Sequence, residues 1–186
     1  MSYGQIHFAL WMIMIAYWVV KMRGNKQTIE RQYRGRRLPV FILILVLVSV
    51  FNRTPGWPHQ RIMPNNDIVQ ILGVVACGAG VALAIWARTI LSTNWSGVPT
   101  IKEGHELITA GPYRYVRHPI YTGILLGLFG TLVLGGGRTG DLIIFALSVI
   151  SLHFKSRVEE GFMLKTFPQT YPEYRRRTKA IIPFVW

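Results

Sequence analysis

Acidic residues are scarce in this chain and cysteine is nearly missing. Of 186 residues, 8 are Asp or Glu and one is cysteine. A lone Cys77 excludes an intrachain disulfide, and its place inside an apolar stretch suits a small packing residue. Charge of either sign is thin, at 16% of residues, against about a quarter in soluble domains. The five histidines are scattered, and no cysteine or carboxylate completes a ligand set, so no metal site is expected. "GVVACGAG" (Gly73–Gly80) lacks the glycine spacing of a nucleotide loop, and no strand precedes it. Ser92, Ser96 and His105 share one loop but suggest no nucleophile–base triad.

What is present is apolar and basic. Hydrophobic residues make up 51% of the chain, mean hydropathy is +0.30, and 21 Lys and Arg leave a net charge of +13. Such a charge suits nucleic acid or an anionic membrane surface, and the apolar runs decide for the membrane. Five runs stand out: Ile6–Val20, Leu38–Phe51, Ile68–Leu91, Pro119–Leu134 and Leu142–Phe154. A full span takes about twenty residues, so the third suffices alone and the others borrow flanking residues or tilt. The expectation is an all-α bundle of about five spans with a cytoplasmic cap. Four spans with a re-entrant second segment is the alternative. One domain is expected over 1–186, with N-terminal spans in 1–67 and a core in 68–186. The first run reads as a span rather than a secretory leader, because its basic residues follow it.

Basic residues crowd Lys21–Arg37 and Lys155–Lys179, with further ones in Arg88–Arg117. The alternate loops hold only Arg53 and Arg61, or Arg138. The positive-inside rule then puts the N-terminus outside and the C-terminus in the cytoplasm, in the inner membrane if the source is bacterial. Small residues four apart, Gly73/Cys77, Ala76/Gly80 and Gly123/Gly127, predict close helix packing in lipid. "GGGRTGD" (Gly135–Asp141) predicts a tight turn, with Thr139 or Asp141 capping the helix that follows.

The chemistry gathers on the inferred cytoplasmic side. In "GPYRYVRHPIYTG" (Gly111–Gly123), Pro119 fits a first helical turn, and His118 and Tyr121, three apart, share a face. Free N–H groups at that helix start can receive an anionic group. The hairpin of the last two spans brings these residues to the depth of Arg157, Glu159 and Glu160. On a helix the two glutamates point about a hundred degrees apart, so one can face a pocket while the other faces solvent or a base. Plainer roles fit the same residues: an aromatic anchor at the interface for His118–Tyr121, surface partners of Arg175–Arg177 for the glutamates, and ordinary loop polarity for His105 and Glu106.

"GHELITAGPYRYVRHPIYTG" (Gly104–Gly123), "RVEEGFMLKTFPQTYPEYRRRTKAIIPF" (Arg157–Phe184) and "WARTILSTNWSG" (Trp86–Gly97) resemble the isoprenylcysteine carboxyl methyltransferase-like integral membrane methyltransferases. That family includes small prokaryotic members and relatives that methylate phospholipid amines. The resemblance implies S-adenosylmethionine at the cytoplasmic ends of the last helices and a lipophilic acceptor entering from the bilayer. It assigns the cofactor to His105, Glu106, Leu107, Tyr113, Arg117, His118, Pro119, Tyr121, Glu159 and Glu160. The catalytic set it implies is Arg157, Glu160 and Tyr121, with Arg157 orienting an acidic acceptor. A two-residue shift of register gives that role to Lys155. The larger eukaryotic members have extra N-terminal spans not found here, which counts against a prenylated protein as acceptor. A nicotinamide-dependent reductase of the sterol type and a non-catalytic lipid-binding scaffold are the alternatives. No nucleic-acid partner is expected, and oligomeric state is open.

Overall fold

The computed structural model describes residues 1–22, 28–31, 61–92, 100–102 and 106–182. Its helices are α1 (Tyr3–Met22), α2 (Asp67–Leu91), α3 (Pro119–Gly135), α4 (Thr139–Thr166) and the short α5 (Tyr171–Arg177). Four of the five apolar runs thus form helices, and Leu38–Phe51 lies outside the described residues. α1 and α2 are long and apolar enough to cross a membrane, while α3 is apolar but shorter, at 17 residues. The apolar part of α4 ends near Phe154, and the helix continues for about three more turns to Thr166.

The expected all-α architecture holds for the bulk, with one correction. Strands β1 (Thr28–Arg31) and β2 (Thr100–Lys102) form an antiparallel pair, Arg31 opposite Thr100 and Thr28 opposite Lys102. They are too short and too polar for alternating hydrophobicity to announce them.

α1 and α2 run parallel. Tyr3 Oη donates to Asp67 Oδ1 at one end (3.4 Å), and at the other Arg88 Nη2 donates to the Lys21 carbonyl (3.0 Å). Arg88, almost fully buried, also reaches the Ser92 carbonyl, so a cation sits on the last carbonyls of α2. Asn66 caps the other end, its Oδ1 accepting from the Val69 N–H at 2.9 Å.

α2 and α3 are antiparallel and closely packed. Gly73, Cys77, Gly80 and Ala84 form the buried stripe of α2, facing Gly123, Gly127 and Gly130 of α3. A Cβ on Gly123 would lie 2.6 Å from the Gly80 carbonyl and 2.7 Å from the Ala84 amide nitrogen, so no side chain fits there. Gly136 and Gly137, with φ of 87° and 68°, turn α3 into α4. Arg138 holds the cap position of α4 without a side-chain hydrogen bond of its own, and Asp141, in the first turn beside the helix dipole, hydrogen-bonds the Arg138 backbone.

Candidate active site

The site is built where α3 begins, α4 projects past its apolar part and the tail returns. Pro119 occupies the first turn of α3, where its missing N–H is harmless, and fixes His118 as the cap residue. The chain after α5 then straps across this end. Arg117 N–H donates to the Lys179 carbonyl (2.8 Å) and His118 N–H to that of Ala180 (2.9 Å). Thr122 Oγ1 donates to the Ile181 carbonyl (2.5 Å), and Tyr174 Oη to the Tyr113 carbonyl (2.7 Å). The strap thereby consumes an N–H that the sequence reading left free for an anion.

His118 stands between two carboxylates. Its Nδ1 lies 3.5 Å from Glu159 Oε2, and its Nε2 lies 3.5 Å from Glu160 Oε1. Nε2 is buried and makes no hydrogen bond, so its attraction to Glu160 is that of charge. The ring stacks on Tyr121 with centroids 5.3 Å apart and planes within 4°. Tyr121 Oη donates to Glu159 Oε1 at 2.6 Å, and Lys155 Nζ lies 5.3 Å from the centre of the tyrosine ring. Glu160 is 4% exposed and is held from the other side: Arg117 Nε and Nη2 both reach its Oε1 at 2.8 Å, and Arg175 Nε lies 3.4 Å from its Oε2. Arg117 Nη1 is fixed by the carbonyls of Arg175 and Thr178.

The protonation states are coupled. Burial alone would lower the His118 pKa, but Glu159 and Glu160 outweigh it and hold it above its ordinary value. Burial opposes ionisation of both glutamates as well. His118 and Arg117 nonetheless draw Glu160 down to about 2, and His118, Lys155 and Tyr121 draw Glu159 down. An imidazolium between two carboxylates is the consistent state.

Arg117, His118, Tyr121, Glu159 and Glu160 are therefore brought together, with Pro119 setting the turn. Tyr113 is buried alongside, its Oη 3.4 Å from the Ala87 carbonyl. Arg157 is not part of the group. It is exposed and lines a cavity on the far side of the Arg117–Glu160 pair, while Lys155 lies over Tyr121. Glu106 is exposed and Leu107 half-buried on the incoming loop, and His105 lies outside the described residues. Glu159 faces Tyr121 while Glu160 faces the basic partners Arg117 and Arg175, the division the sequence allowed, and both also reach His118. Sequence reasoning missed the strap and the Arg117–Glu160 pair. Among the described residues no three His, Cys, Asp or Glu side chains are grouped as a metal site.

Comparison with known proteins matches residues 68–170 to the family described as phospholipid methyltransferase. The chain is 30% identical to the cobalt-zinc-cadmium resistance protein CzcN of Cupriavidus metallidurans, over 86% of this chain and 69% of that protein. It is 33% identical to a probable protein-S-isoprenylcysteine O-methyltransferase of Oryza sativa subsp. indica, over 90% of this chain and 93% of that protein. Among solved structures, the eukaryotic intramembrane Ras methyltransferase ICMT has a similar fold, with a TM-score of 0.63 and 21% identity. That match covers 83% of this chain and 55% of the other.

Proposed function

The chain belongs to the phospholipid methyltransferase family and is an integral membrane methyltransferase; we propose that it moves a methyl group from S-adenosylmethionine to a lipophilic acceptor at the cytoplasmic boundary. The observation that carries this reading is the His118 imidazole between two carboxylates and against Tyr121, inside the stretch that matches the family.

The residues fit the cofactor chemically. It carries a cationic amine, a cationic sulfonium and a carboxylate. Two carboxylates and tyrosine faces suit the cations, and the cationic His118 ring suits the anion. Glu159 or Glu160 would hold the amine, His118 the carboxylate, and the backbone near His105–Leu107 the adenosine, with Tyr113 closing the pocket. Bound there, the cofactor supplies a methyl group already activated on sulfur. The chain's own work is then alignment and exclusion of water, and positioning of that kind contributes roughly 7–11 kcal/mol to a barrier. Lys155 orients an acidic acceptor in our reading, because it shares the Tyr121 side of α4. A carboxylate acceptor needs no base. An amine acceptor must lose a proton, to a glutamate or to water.

Five spans fit the chain path. β1 pairs with β2, β2 lies against α4, and Ile62 and Met63 donate to the Gly136 carbonyl at the turn after α3 (2.9 and 3.0 Å). The apolar run Leu38–Phe51, which our reading counts among the five spans, lies outside the described residues. Positive-inside charge then assigns the site to the cytoplasm, the N-terminus outside and the C-terminus inside.

The test uses purified protein, cofactor labelled in the methyl group and a membrane lipid extract. Transfer of label to a lipid is expected. Release of volatile methanol by alkali marks a methyl ester, and alkali-stable label marks an N-methyl head group. S-Adenosylhomocysteine should raise the melting temperature and NADPH should not; stabilisation by NADPH alone overturns the proposal.

A further inference from the structure

α4 presents a second polar face beside the one that looks toward Tyr121, and Glu160 stands where the two meet. His153, Ser156, Arg157 and Glu160 recur at spacings of three and four and so share one side, whereas Lys155 and Glu159 lie toward Tyr121. Between that side and the tail is a cavity of about 270 Å³. Arg117, Arg157, Arg175, Arg176 and Lys179 line it, against the single carboxylate of Glu160. Arg117 and Arg175 are engaged by Glu160, while Arg157, Arg176 and Lys179 make no ion pair among the described residues.

Three unbalanced cations around one hollow repel each other unless an anion joins them. The volume falls just below the roughly 300–1,000 Å³ typical of small-molecule pockets, so a compact anion suits it better than a nucleoside. Guanidinium groups match phosphate oxygens in two-pronged contacts. The cavity also lies on the part of α4 past Phe154, beside the strap, where the helix leaves its apolar stretch. We propose that this cavity is a phosphate site, adjoining the methyl-transfer site across the Arg117–Glu160 pair, that holds an anionic lipid head group or free phosphate. The site does not rest on the methyltransferase reading.

The test titrates the purified full chain in neutral detergent with phosphatidylglycerol, phosphatidylcholine or inorganic phosphate. Bound species are counted by native mass spectrometry, and S-adenosylhomocysteine affinity is measured separately. Phosphatidylglycerol should bind at least tenfold more tightly than phosphatidylcholine. R176Q/K179Q should weaken it about thirtyfold, following the attraction contributed by each basic residue near an anionic surface, and leave S-adenosylhomocysteine affinity unchanged. Displacement of the lipid by millimolar inorganic phosphate identifies a free-phosphate site, and retention of the lipid identifies a head-group site. Should the double variant not fold, R157Q, at an exposed position, must weaken lipid binding about fivefold. The proposal fails if neither phosphate nor phosphatidylglycerol binds, or if the variants bind as the parent does. It fails equally if R23Q/R34Q, two basic positions of the sequence that do not line the cavity, causes the same loss, or if cofactor affinity falls with lipid affinity.

Discussion

The middle of α3 meets α2 through glycines, whereas its first turn meets α4 and the tail through charges. In the middle, Gly123, Gly127 and Gly130 leave backbone against backbone, and nothing there ionises. At the first turn Arg117, His118 and Tyr121 face Glu159 and Glu160, and hydrogen bonds from the strap hold the backbone. The same rod is thus located by shape at one level and by electrostatics at another. A change in the seam should move the whole rod. A change in the junction should leave the rod in place and remove what it holds.

His118→Ala gives the largest expected effect and tests the junction directly. It leaves Glu159 and Glu160 without the cation between them, and breaking a buried pair of this kind costs about 3–5 kcal/mol. Glu160→Ala strands Arg117 in the same way. Both variants should extract as monodisperse protein yet show no S-adenosylhomocysteine binding by calorimetry. Binding within threefold of the parent in both would refute the site.

Gly80→Ala tests the seam. Its Cβ would fall on the backbone of Gly123 and Gly127, and overpacking of that sort costs about 1–3 kcal/mol. The melting temperature should drop, and cofactor binding should weaken only as far as folding does. Gly78→Ala, two residues away, would meet nothing closer than Leu10 Cδ1 at 3.7 Å and should change little. Equal losses in both variants would mean that the seam is not set by close approach.

Changing pH separates the two levels without mutation. The depressed Glu160 contributes fully above its ordinary pKa of 4.5, and its contribution fades as pH falls toward about 2. The raised His118 contributes fully below 6.5, and its contribution is lost as pH climbs past its elevated value. The melting temperature should therefore be highest between about 4.5 and 6.5 and fall on the alkaline side. His118→Gln should flatten that alkaline limb, and a limb that survives in the variant would assign the titration elsewhere.

Much of the junction was legible because its signals are local. A residue three after another on a helix shares its face, and His118 and Tyr121 do stack. The choice between Lys155 and Arg157 was also contained in the spacing. Residue 155 stands one turn before Glu159 and shares its side, while Arg157 stands half a turn away and points to the other cavity. That both glutamates also meet His118 was not legible, since it depends on a histidine from another element standing between them. The strap was invisible for a different reason: most of its bonds use backbone atoms, which any sequence supplies. The glycine seam showed as small residues four apart, but the pairing of Gly80 with Gly123 and Gly127 needs the second helix.

Those two uses of polar and small residues leave Gly161 without either. Gly161 follows Glu160 in α4, is exposed, and a Cβ there would meet nothing within 4 Å. No positive φ holds the position to glycine. In an exposed helix interior, glycine is less favourable than alanine by about 0.5–1 kcal/mol, mostly through the freedom it loses on folding. Gly161→Ala should therefore raise the melting temperature slightly and leave S-adenosylhomocysteine affinity unchanged. Gly80→Ala, the same chemical change in the seam, should do the opposite to stability. A destabilised Gly161→Ala would mean that this face of α4 is covered in the working protein, and binding measured with acceptor lipid present would then show whether the acceptor is what covers it.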